Sequence, residues 1–154
     1  MMEKIILESA DLRRLDLSKC EFLWANLKYA NFRRSTLEET IFEGSKLFAA
    51  QFDRAKMDEA DFTEANATQA DFSDADFRGA CLRGVSFLDA TLDGARFKDA
   101  NMEWLDLTNV DFGTADLTGA NLRQADLAEA RIGTSNKDYV LSQNIVNGDK
   151  IVWQ

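Results

Sequence analysis

Histidine is absent from all 154 residues. A serine or cysteine nucleophile therefore has no imidazole to take its proton, and tetrahedral zinc ligation would have to be improvised from other donors. Glycine is sparse, with 8 residues, and none falls in either common phosphate-cradling loop pattern. No apolar run approaches the roughly 20 residues that a membrane helix needs, and no cationic, apolar leader opens the chain. Basic residues are outnumbered, 18 Lys and Arg against 27 Asp and Glu, for a net charge of −9. That sign disfavours direct binding to nucleic acid, which relies on a basic surface. These absences predict a soluble, cytoplasmic protein with no cofactor, no metal, no direct nucleic-acid partner and no membrane contact. Carboxylates remain for acid–base work, but their placement has another explanation, given below.

What the chain does have is a register. From Leu7 to Ile132 an apolar residue occupies every fifth position, giving 26 centres of which only Ala67 is not large. Two residues before each centre sits a small residue, alanine in 17 of the 25 places from Ala10 to Ala130. A period of five fits neither a helix, which repeats near 3.6, nor a strand, which alternates every two. One large and one small side chain per five residues point inward, and the other three pass through a corner and outward positions. Four such sides close a square coil of 20 residues. Arg13-Arg14, Arg33-Arg34 and Arg54 recur at that spacing, as do Glu38-Glu39 and Asp58-Glu59. Gly44, Gly79, Gly84, Gly94 and Gly119 all lie two residues after a centre. A type II turn needs positive φ at its second central residue, so the corner follows each centre.

The triplets Ala25-Asn26-Leu27, Ala60-Asp61-Phe62, Ala75-Asp76-Phe77, Ala115-Asp116-Leu117 and Ala120-Asn121-Leu122 carry a specific likeness. Over about residues 5 to 132 the chain resembles the pentapeptide repeat proteins, whose pattern is a small residue, Asp or Asn, Leu or Phe, then two variable positions. The resemblance implies an all-β solenoid, a right-handed quadrilateral β-helix. About six coils at the ~4.8 Å spacing of paired strands make a rod of roughly 30 Å. The Asp and Asn residues before the centres belong to the repeat, since such side chains bond nearby backbone in turns.

Stacked coils sort the centres into four columns. Leu12, Phe32, Phe52, Phe72, Leu92 and Phe112 form the first; Leu17, Leu37, Met57, Phe77, Phe97 and Leu117 the second. The third is Phe22, Phe42, Phe62, Leu82, Met102 and Leu122; the fourth is Leu27, Leu47, Ala67, Phe87, Leu107 and Leu127. Cys20 points inward and Cys81 outward, about three coils apart, too far for a disulfide.

Two parts are expected: residues 1–132 as the β-helix and 133–154 as a capping or dimerisation segment, because the phase collapses after Ile132. Met1 to Lys4 is too short to seal the first coil alone. Thr134, Ser135 and Asn136 are expected to cap a short helix through Gln143 that lays Tyr139, Val140 and Leu141 on the last coil. Asn147-Gly148, between Ile145-Val146 and Ile151-Val152-Trp153, reads as a tight hairpin turn, with an extended tail as the competing reading. The same segment is a candidate for pairing two chains as a homodimer.

Two outward features are candidates for partner binding. Arg13, Arg14, Arg33, Arg34 and Arg54 form a ridge that either neutralises the acidic ridge of Glu38, Glu39, Asp58 and Glu59 or anchors an acidic partner. Trp24 and Trp104 share an outward column, with Leu23, Tyr29, Phe48 and Leu88 on the same or the adjoining side. Clustered exposed apolar residues mark contact sites. The expected function is a non-catalytic protein-interaction module; solenoids display side chains at fixed intervals. The resemblance also raises two alternatives: a DNA-mimicking modulator of a bacterial type II topoisomerase (gyrase), and an accessory or immunity protein of a toxin system. The family's gyrase-protecting members use projecting loops, and the unbroken register from Leu7 to Ile132 leaves no place for one.

Overall fold

A computed structural model describes residues 5–154. The backbone winds as a four-sided solenoid. Along most of the rod, residues just before the centres pair in parallel with their counterparts 20 positions on, from Ile6 with Asn26 to Asp126 with Val146. Most centre N–H groups donate to the next coil, as in Phe32 to Gln51 at 2.7 Å and Phe52 to Asp71 at 2.7 Å. Sides are numbered here by their columns of centres, first to fourth as given above.

The corners explain how a five-residue unit turns. In nearly all of them, the residue three after a corner's carbonyl donates back to it, as Ala30 N–H does to the Leu27 carbonyl at 3.0 Å. The residue two after the centre is left-handed at every corner from Ser9 to Glu129 except that of Thr114. Most of these are not glycine: Arg14 has φ +59°, Trp24 +54° and Glu59 +57°. Repetition of the fold holds side chains where a single turn would ordinarily select Gly. The carboxylate or amide before many of the centres explains part of that tolerance. Its oxygen accepts the N–H two residues on, as in Thr63 to Asp61 at 2.8 Å and Thr108 to Asp106 at 3.0 Å.

Inside, all centres from Leu27 to Ile132 are buried. Phenylalanines stack up the columns at coil spacing: Phe32 on Phe52 at 4.7 Å, Phe52 on Phe72 at 4.9 Å, Phe77 on Phe97 at 5.1 Å between ring centroids. Neighbouring columns meet edge to face, as Phe42 does with Phe52 at 5.7 Å. Both arrangements suit the aromatic quadrupole. The first coil is less covered: Leu7, Leu12 and Leu17 are half-buried and Ile6 is exposed. The expectation for Met1 to Lys4 lies outside the described residues.

After Gly133 the chain departs from the repeat and then rejoins it. A 3-10 turn (Thr134–Asn136) leads into the helix α1 (Lys137–Ser142). Asn136 does not cap α1 through its side chain, and neither Thr134 nor Ser135 does; Asn136 is buried and closes the last coil instead. Its amide oxygen accepts Leu117 N–H at 3.0 Å and its amide nitrogen donates to the Ala115 carbonyl at 2.9 Å. Val140 is buried and Tyr139 O–H reaches the Ala120 carbonyl at 2.7 Å. Leu141, expected on the coil, is 49% exposed because α1 turns that face to solvent.

The expected hairpin is also corrected. Val146 pairs in parallel with Asp126, and β2 (Val152–Trp153) pairs in parallel with β1 (Arg131–Ile132). Asn147-Gly148 is thus a solenoid corner with one added residue, Asn147 being left-handed at φ +53°. An antiparallel return would have left the edge of residues 125–132 unpaired. Following it, the tail satisfies that edge: Leu127 N–H donates to Val146 and Glu129 N–H to Lys150. Ile151 is buried, Ile145 and Trp153 are partly so, and Val146 and Val152 remain exposed.

Candidate protein-interaction face

The positions that face water are the residue before each centre and the two corner residues after it. On the corner between the third and fourth sides this rule places Trp24 and Trp104, 48% and 68% exposed; Tyr29 and Leu88, 50% and 55% exposed, occupy the opposite corner of the fourth side. Trp24 lies along the rod over Gly44. A Cβ at residue 44 would stand 2.3 Å from the indole, so glycine there makes the shelf on which the ring rests. Phe48 is half-buried beneath Tyr29, edge to face at 5.6 Å, and Leu23 is exposed beside Trp24. The fourth side is therefore a strip framed by large apolar corner residues. Its middle carries the polar Asn26, Lys46, Asn66, Ser86 and Asp106. Trp24 and Trp104 are four coils, or about 19 Å, apart at strand spacing.

The arginine ridge is as exposed as expected but is neutralised differently. Arg33 pairs with Asp53, Arg54 with Asp74 at 3.3 Å, and Arg13 with Asp11 at 2.6 Å. These partners lie on the same corner or the adjoining side edge, because stacking brings residues 20 apart closer than the next corner of the square. Of the acidic ridge, Glu39 takes Lys19 and Asp58 takes Arg78. The Arg13 guanidinium, bonded to both Asp11 oxygens, holds that carboxyl down to about 2. Among the described residues, neither Arg14 nor Arg34 has a carboxylate within ion-pair distance. They line a recess with Arg13, Arg33 and Asp53.

One polar centre escaped the sequence reading. Asp76 stands in the repeat's ordinary Asp position, yet its side chain is only 3% exposed. Arg78 Nε binds it at 2.9 Å, Arg96 at 2.6 Å, and Arg78 continues to Asp58 at 2.7 Å. The arginines two and twenty positions on were the available signal. The cysteines are both free. Among the described residues, no group of three or more His, Cys, Asp or Glu is poised for a metal and no helix is long and apolar enough to cross a membrane.

Comparison with known proteins agrees with this geometry. A family model for a pentapeptide repeat region matches residues 15–87, and one for pentapeptide repeats matches 82–113 and 106–132. Among curated proteins none matches the sequence. Among solved structures, HetL of the cyanobacterium Nostoc sp. strain PCC 7120, a pentapeptide repeat protein involved in regulating heterocyst differentiation, is 25% identical with a TM-score of 0.72. The match covers 79% of this chain and 62% of HetL, so the chain spans less than two thirds of that protein. A pentapeptide repeat protein of the Arabidopsis thaliana thylakoid lumen is 27% identical over 89% of this chain and 82% of its own, with a TM-score of 0.43. QnrB1, a plasmid-mediated fluoroquinolone resistance protein, is 23% identical over 93% and 64%, with a TM-score of 0.42. Solved relatives are right-handed quadrilateral β-helices. With repeat matches running through residues 15–132 and rungs 20 apart along that length, the chain belongs to the pentapeptide repeat family.

Proposed function

We propose that the chain is a non-catalytic protein-interaction module that engages a protein partner through its fourth side. One observation carries this reading: Trp24, Tyr29, Leu88 and Trp104, all large and about half or more exposed, frame a single side. Large aromatic residues on a rigid support are what protein contacts use as anchors. Arg14 and Arg34, on the corner between the first and second sides, are two of the described cations with no carboxylate in ion-pair distance and would add to such a contact only if the partner wraps beyond the fourth side. In this reading residues 133–154 cap the rod, and the solvent-facing Leu141, Val146 and Val152 are where two chains would pair if the segment also dimerises. The test is capture of partners from native lysate by the parent and by a Trp24→Ala, Trp104→Ala variant of unchanged circular dichroism. Loss of at least one reproducible partner is expected; an unchanged set of partners discards the fourth side.

A second reading, mimicry of duplex DNA toward a type II topoisomerase, draws on the net charge of −9. A supercoiling assay with and without fluoroquinolone decides it, and no effect at micromolar protein removes it. The toxin-accessory reading has no residue that selects it.

A further inference from the structure

The parallel ladder is interrupted at one place. Between residues 84–94 and their counterparts 103–114 no backbone hydrogen bond forms. The N–H groups of Phe87, Asp89 and Leu92, which by the repeat should donate to Asp106, Thr108 and Asp111, do not; nor do those of Asp106 and Asp111 donate back. The rungs Ser86 with Asp106 and Thr91 with Asp111 are missing from an otherwise regular series. The interruption covers the fourth and first sides only. On the second and third sides the same two coils stay joined, by Phe97 N–H to Asp116 at 2.9 Å, Asp116 N–H to Ala95 at 2.8 Å and Met102 N–H to Asn121 at 3.0 Å. Clefts of about 350 and 150 Å³ follow the opening.

The cause is legible in the small positions. Val85 and Leu105 stack in a column otherwise made of Ala25, Ser45, Ala65 and Ala125, and Val110 stands below Ala90 in the next. All three bulky residues are under 5% exposed. In the Val85 column a single one is tolerated: Val85 against Ala65 keeps Ser86 N–H on Ala65 at 3.0 Å, and Leu105 against Ala125 keeps Asp126 N–H on Leu105 at 2.9 Å. Two branched side chains in consecutive coils overfill the space, and the coils part. At the far end of the opening the corner is rebuilt. Gly113 rather than Thr114 takes positive φ, Gly94 N–H donates to Thr114 Oγ1 at 3.1 Å and Thr114 N–H to Asp93 Oδ1 at 3.0 Å. A Cβ at residue 113 would lie 1.8 Å from Asp93 Oδ1, so a larger residue there would have to displace that carboxylate.

The geometry points to a built-in articulation: the rod is hinged on its second and third sides at residues 95–104 and 115–124, and opens and closes along the seam between 84–94 and 103–114. Leu88 and Trp104 sit on opposite lips, so the motion changes the spacing of Trp24 and Trp104 on the fourth side.

Amide hydrogen exchange of the full chain tests it. The amides of Phe87, Asp89, Leu92, Asp106 and Asp111 should exchange at least roughly tenfold faster than those of Ala67, Gln69, Phe72, Ser86 and Thr91 one coil earlier, since exchange reads local opening. Equal protection overturns the articulation. In a Leu105→Ala variant, which removes the double stack, Phe87 and Asp106 should slow by a similar factor; exchange as fast as the parent's overturns the wedge. Should that variant not fold, the parent's profile alone decides.

Discussion

Two substitutions separate what the interior needs from what it merely contains. Phe72 is fully buried, stacks on Phe52 at 4.9 Å and meets Phe77 and Phe87 in the coils around it. Its replacement by Ala leaves a cavity that neighbours fixed by their own coils do not refill, at a cost of about 3–5 kcal/mol. Ser45 is equally buried, but its hydroxyl finds no partner, unlike that of Ser35, which donates to the Phe32 carbonyl, or of Thr40, which donates to Leu17. Ser45→Ala restores the repeat's own residue and should stabilise by roughly 1 kcal/mol. Chemical denaturation of the pair is expected to move the midpoints in opposite directions. A Phe72→Ala midpoint equal to the parent's would contradict the stacked columns.

Among the elements, the terminal segment is the one with a pH-dependent attachment. Asn147 donates its side-chain amide to both Asp126 oxygens at 2.8 and 2.9 Å, and Ala128 N–H adds a third bond at 3.0 Å. These bonds, the Asn147 amide foremost, hold the Asp126 carboxyl below its ordinary 3.8. A depressed folded-state pKa gives stability that is complete above the ordinary carboxylate range and is lost as pH falls through the depressed value. Acidification from about pH 6 to about pH 2 should therefore loosen the tail around residue 147. The indole resonance of Trp153, partly buried beneath Lys137 at 5.6 Å, is the local reporter. An Asp126→Asn variant should flatten its response, and a parent resonance that does not move would refute the attachment.

For the whole molecule, much was readable because one constraint is restated every five residues. The columns, the corners and the outward placement of Trp24 and Trp104 all follow from phase. Legibility ends where phase does. Asn147-Gly148 has the local chemistry of a hairpin, and only the unpaired edge of the preceding coil decides that the chain continues in parallel. Arg33 and Arg54 find acids one coil away on their own corner, a distance that five-residue counting does not rank against the next corner. Val85 over Leu105 is visible in the sequence, but its effect depends on two stacked volumes and not on either residue. The cap's weight is also a whole-molecule property. Val140 and Ile151 are buried against the last coil, each worth roughly 1.5–3 kcal/mol. A chain ending at residue 132 should melt lower and self-associate with rising concentration in sedimentation velocity; a monomer of unchanged melting temperature would show that the segment seals nothing.

The left-handed corners have a consequence for how such a chain can change over generations. Arginine, tryptophan, glutamate, glutamine and alanine all occupy the same backbone geometry, and none of them contributes the inward residue that defines a coil. Lettering on the outside is therefore nearly uncoupled from the architecture beneath it, so lineages can rewrite which molecule the rod recognises by point mutation while its scaffold is inherited intact.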